Sequence, residues 1–154
     1  MRKPFLIIVC TLVAISCNKE IVTWDITPVG IEIAVTNDNG ASLIDSLASS
    51  VTATFMGETY NLTDKRGEDI VSSNPSDPMS PTWYGFAIYG QKIYFGEFPG
   101  TDTFNNENLI IDWGDSTKDT ITIRNIVHDT DSCWVDRAYY LNGEKVKYQF
   151  DIIK

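Results

Sequence analysis

Apolar and polar residues alternate with a period of two along most of this chain. In 29–36, Val29, Ile31, Ile33 and Val35 fall on one side and Glu32 and Thr36 on the other, the pattern of a half-buried strand. Asn37-Asp38-Asn39-Gly40 follows as a turn, because these residue types bond their own backbone and tolerate positive φ. Further strand-like runs cover 51–56, 58–62, 82–89, 91–98, 109–113, 120–127, 133–141 and 144–153. Helical periodicity is nearly absent, and the serine-rich stretch 42–50 has room for a turn of helix at most. Eight or nine short strands separated by turn signals predict an all-β fold, an antiparallel β-sandwich.

The sharpest local signal is Asn142-Gly143 between two alternating runs, which predicts a two-residue type I′ hairpin. The expected register sets Leu141 opposite Glu144, Tyr139 opposite Val146, Arg137 opposite Tyr148 and Val135 opposite Phe150. That face is apolar apart from Arg137. The other, with Trp134, Asp136, Tyr140, Lys145, Lys147, Gln149 and Asp151, is expected to face water. A slip of one residue would exchange the faces, so the pattern defends the register. Two polar stretches interrupt the strands: 63–81, with three prolines and four serines, and 99–108. If both lie at one end of the sandwich, they form its natural recognition surface.

The N-terminus has a different pattern. Arg2 and Lys3 precede an apolar stretch at 5–15, too short to span a bilayer, and Ala14 and Ser16 stand at −3 and −1 before Cys17. Charge, apolar length and the small-small-Cys ending together resemble the lipobox of bacterial lipoproteins. That resemblance implies cleavage after residue 16 and acylation of the Cys17 sulfur. The expected organisation is a signal peptide at 1–16, a lipidated cysteine and short tether at 17–28, and one β-sandwich domain at 29–154. Each buried acyl methylene contributes about 0.8 kcal/mol, so two or three chains anchor a domain stably. No Asp follows Cys17, and Lys19-Glu20 is similar to the export signals of some surface lipoproteins of Bacteroidetes.

The whole chain carries a formal charge of −9. Removing Arg2 and Lys3 leaves 10 basic residues against 21 acidic ones, a mature charge of about −11. Nucleic acid is therefore not an expected partner, since phosphate binding needs clustered Lys and Arg. Membrane attachment is expected through the lipid alone. Cys10 leaves with the signal and Cys17 carries lipid, so Cys133 has no intrachain disulfide partner and is read as a small buried hydrophobe.

The chemistry-bearing clusters are few. Asp112-Trp113-Gly114-Asp115-Ser116-Thr117 resembles the strand-and-turn motif of the polycystic-kidney-disease-type repeat, an immunoglobulin-like adhesion module, with Ser116 in place of its second glycine. Asp112 and Asp115 are read as acceptors for turn amides, with calcium binding as the alternative. An EF-hand reading of Asn37-Asp38-Asn39-Gly40 fails, because Val35 and Ser46 stand where acids are required. Asp129, Asp131 and Cys133 could converge on a strand face, with His128 pointing away; one histidine and one thiol do not predict zinc. No Gly-x-Ser-x-Gly elbow occurs. No catalytic residue, metal or cofactor is expected.

Aromatic residues crowd 82–98. Alternation places Tyr84, Phe86 and Ile88 on one face and Trp83 and Tyr89 on the other, so one set is core and the other a candidate platform for sugar rings or peptide side chains. Trp83 and Tyr89 are the candidate ligand-binding residues. The lipobox, the early strand ending in Asn-Asp-Asn-Gly, and the strand pair IDWGDSTKDTITI followed by YYLNGE together resemble small Bacteroidetes envelope lipoproteins. The resemblance implies an immunoglobulin-like or transthyretin-like sandwich in the cell envelope, and the expected address is the outer membrane, lipid-anchored and facing either the periplasm or the cell surface. The function expected is non-catalytic binding of an envelope protein or glycan, with a carbohydrate-binding accessory or small glycosidase as the alternative.

Overall fold

The computed structural model describes residues 26–47, 49–67, 81–128 and 134–154. Eleven strands follow in order: β1 (Val29–Thr36), β2 (Thr52–Phe55), β3 (Glu58–Asn61), β4 (Thr63–Asp64), β5 (Gly85–Tyr89), β6 (Lys92–Phe98), β7 (Phe104–Asp112), β8 (Lys118–His128), β9 (Trp134–Leu141), β10 (Glu144–Val146) and β11 (Gln149–Ile153). A single 3-10 turn, Ile44–Ser46, lies in the serine-rich stretch. One sheet has the order β11-β1-β6-β5-β4 and the other β10-β9-β8-β7-β2-β3. The fold is an all-β sandwich, as the alternation predicts. Two of its pairings, β1 with β11 and β4 with β5, are parallel rather than antiparallel.

The core lies between the sheets. Val29, Ile31, Ile33 and Val35 of β1 are buried, as are Leu109 and Ile111 of β7 and Ile121 and Ile123 of β8. These are the alternate positions that the period of two assigns to one face. Around Phe55, the rings of Phe95, Phe98 and Phe104 meet at centroid distances of 5.5, 5.3 and 5.7 Å, the spacing of offset and edge contacts.

The expected polar loop at 99–108 ends at residue 103. Phe104 is buried and begins β7, and a bulge between Asn105 and Glu107, with Asn106 at φ +59°, restores Leu109 to the inner face. The polar residues hid this strand because its outward side faces water and the bulge breaks the alternation.

At the C-terminus the hairpin forms as expected. Asn142 and Gly143 both have positive φ, and Leu141 pairs with Glu144 and Tyr139 with Val146. The expected pairs Arg137 with Tyr148 and Val135 with Phe150 do not form. After Val146 the chain crosses to the other sheet, where Phe150 lies opposite Ile33 and Ile152 opposite Val35. Crossing buries Ile152 in the core and covers the C-terminal half of β1. A second crossing occurs at Leu62, where β3 of one sheet leads into β4 of the other. These two crossings raise the strand number above the expected eight or nine. Among the expected clusters, Cys17, the stretch 68–80, and Asp129, Asp131 and Cys133 lie outside the described residues.

The Trp113–Thr117 turn shows why this motif needs its acids. Asp112 Oδ1 accepts the Gly114 amide at 3.0 Å, and Asp115 Oδ1 accepts the Thr117 amide at 2.8 Å. Beneath it Asp119 accepts Trp113 Nε1–H and the Asn142 amide, each at 2.7 Å, and pairs with Lys154 at 2.9 Å. Burial pushes the Asp119 carboxyl up, but the bonds from Asn142, Lys154 and Trp113 outweigh it and hold the group below its ordinary value. A carboxylate with a depressed folded pKa stabilises the fold above its unfolded pKa of about 3.9 and loses that contribution as pH falls through the folded value. The urea midpoint should therefore drop as pH falls from about 5 towards 3. Asp119→Ala should cost about 1–3 kcal/mol at pH 7 and show a smaller acid-induced drop, because it has already lost the titrating group.

Candidate binding cleft

The sheet order creates an opening. On its β11 side, β1 is paired only from Glu32 to Thr36. Val29 and Ile31 have β6 as their one strand partner among the described residues. Beside this uncovered half lies a cleft of about 410 Å³ whose walls include Tyr84, Tyr94, Tyr148, Glu97, Arg137 and Tyr139. β6 supplies Tyr94 and Glu97, the approach to β5 supplies Tyr84, and the sheet-crossing segment supplies Tyr148. From the opposite sheet, β9 contributes Arg137 and Tyr139.

The aromatic hairpin departs from simple alternation at Gly85, whose φ of +65° turns Tyr84 away from the side of Phe86. Phe86, Ile88 and Phe95 point into the core. Tyr84, Tyr89 and Tyr94 instead form a triangle on the outer side, with centroid distances of 5.6, 5.4 and 5.8 Å. Trp83 packs with Tyr60 and Phe98 at 5.7 and 5.4 Å. The expected single platform of Trp83 and Tyr89 is therefore not formed, because the two residues belong to different aromatic groups. Neither is a wall of the cleft.

The cleft's ionisable groups are held by neighbours. Glu32 takes Lys92 on one carboxylate oxygen and Gln149 Nε2–H, at 2.8 Å, on the other. Glu97 Oε2 accepts the Thr82 amide at 3.0 Å. Burial raises the Tyr84 hydroxyl, helped by the charge of Glu97, and raises Tyr94, helped by Glu32. Both phenols, like any tyrosine, are protonated at neutral pH and can donate hydrogen bonds. Tyr139 is raised by burial as well.

Arg137 closes the end where the chain enters the domain. Its Nη1 and Nη2 donate to the carbonyls of Pro28 at 3.0 Å and Thr27 at 2.7 Å, and its Nε donates to Asn125 Oδ1 at 2.7 Å. Asn125 is fully buried and passes the network on to the carbonyls of Gly100 at 2.9 Å and Asp102 at 2.6 Å. A Cβ on Gly100 would run into the carbonyls of Ile26 and Thr27, so only glycine allows this close approach. Arg137 was visible in the sequence as the lone charge on an apolar face. The tyrosine walls were not, because Tyr148 reaches the cleft only through the sheet crossing and Tyr84 only through the turn at Gly85.

No family model, curated protein or solved structure matches this chain.

Proposed function

We propose that this protein is a non-catalytic recognition domain of a Gram-negative envelope, held to the outer membrane by lipid on Cys17, with the cleft beside β1 as its binding site. The observation carrying this reading is the cleft itself: four tyrosines line it beside apolar side chains such as Ile31 and Phe95, and its charged groups, Glu32, Glu97 and Arg137, are engaged by neighbours. Rings with polar tips bind flat, partly polar ligands through stacking and hydroxyl bonds. Glu32 has both carboxylate oxygens engaged, a poor arrangement for the proton transfers of hydrolysis. The resemblance to Bacteroidetes lipoproteins supports the lipid anchor and the address.

A glycan is the favoured ligand class, because Tyr84 and Tyr94 offer stacking surface and Glu97 retains acceptor capacity beside them. On a glycan array the mature protein should give a specific signal that Tyr94→Ala reduces at least tenfold, about 1.4 kcal/mol, while its urea midpoint shows the fold intact. Trp83→Ala, outside the cleft, should leave that signal in place. A flat array would reject the glycan and favour an envelope protein as partner. Turnover of any glycan by the purified protein would reject the non-catalytic reading.

A further inference from the structure

Strand direction and register give the sandwich two unlike ends. Thr27 and Pro28, clamped by Arg137, mark the end where the chain enters. The His128–Trp134 pair lies farther out at this end, because β9 starts at Trp134, three residues before Arg137. Trp83 lies there too: the Glu97 backbone amide donates to the carbonyl of neighbouring Thr82, and Phe98 pairs with Val29 at the start of β1. The far end carries the 37–40, 90–91, 114–117 and 142–143 turns, built from Asn, Asp, Gly, Gln, Ser and Thr.

Both tryptophans at the chain-entry end are half in solvent, Trp83 at 53% exposure and Trp134 at 51%. The indole of Trp134 stacks on His128 at a centroid distance of 3.7 Å and an interplanar angle of 8°, which holds the ring without burying it. Trp113, by contrast, is buried at the far end. Near that end the large exposed apolar side chains among the described residues are two isoleucines, Ile153 and Ile110, and no indole.

We propose that the chain-entry end of the sandwich docks on the bilayer, with Trp83 and Trp134 seated at the membrane–water interface. This rests on the lipid anchor proposed above. Cys17 and Ile26 are nine residues apart, so a fully extended tether reaches at most about 31 Å. The chain enters the domain at the same end as these tryptophans, so an anchor at Cys17 brings this end within the tether's reach of the headgroups. Indole rings favour that zone, where an apolar body and a polar N–H are both satisfied. The acidic chain gains little from headgroup charge, so the docking is carried by the rings and should be insensitive to salt.

The test uses the mature acylated protein carrying Trp24→Phe, which removes the tether's own signal, in phosphatidylcholine vesicles with brominated acyl chains. Bromolipid should quench the tryptophan emission. Trp83→Phe and Trp134→Phe should each remove part of the quenched component, and Trp113→Phe should remove none. Access of soluble acrylamide to Trp83 and Trp134 should fall on the vesicles. Protein that floats with vesicles but shows no bromolipid quenching would overturn the docking and leave the anchor standing. Loss of acrylamide access without bromolipid quenching would mean that a second copy of the chain covers the rings, and would also overturn it. A mature chain without acyl groups by mass spectrometry would remove the anchor, and the docking with it.

Discussion

Phe95→Ala should lower the stability of the domain by about 3–5 kcal/mol, the largest loss expected from a single side chain here. Phe95 is 1% exposed. Its ring meets Tyr60, Phe55, Phe98, Trp83 and Phe86 at centroid distances from 5.4 to 6.4 Å. Truncation removes the transfer energy of a whole ring and leaves a cavity that five neighbours cannot close without leaving their rotamers. Domains of this size have about 5–15 kcal/mol in total, so the variant should unfold at far lower urea. Phe95 also forms part of the cleft lining, so ligand binding should weaken with it. An unchanged midpoint would mean that the aromatic cluster is not the core it is described as.

Asn125→Leu is expected to cost roughly 2–4 kcal/mol, although leucine is the more hydrophobic residue. The amide serves two carbonyls and one guanidinium N–H in a fully buried position. Leucine satisfies none of them, and each stranded group then carries its own desolvation penalty. Arg137→Met removes the partner at the other end of the chain of bonds and frees the carbonyls of Thr27 and Pro28. A double-mutant cycle should show the two losses to be less than additive, because they break one network. Full additivity would mean that the two side chains act separately.

How much of this was legible in the sequence follows from where order is local. β1 was plain because each of its residues obeys one period, and the Asn142-Gly143 hairpin because a two-residue turn dictates its own register. The path beyond Val146 was not, since continued pairing with β9 and pairing with β1 bury Phe150 equally well in the sequence pattern. The choice depends on an uncovered edge of β1, a property of the assembled sheet. The start of β7 was hidden by a bulge, and the outward turn of Tyr84 by one positive φ at Gly85. The candidate site suffered most, because the cleft joins residues from β1, β6, β9 and the last crossing. Of these, Arg137 alone stood out, as a charge among apolar neighbours.

The paired sheet crossings have a consequence for life in a crowded membrane. Each border of the sandwich is a single continuous length of chain that belongs first to one layer and then to the other, through β3 into β4 and β10 into β11. The outermost strands hold only four, two, three and five residues. Among the described residues, a neighbouring molecule finds on these four outermost strands no row of open amides longer than five residues. Crowded together on one surface, copies of this protein should resist joining into ribbons.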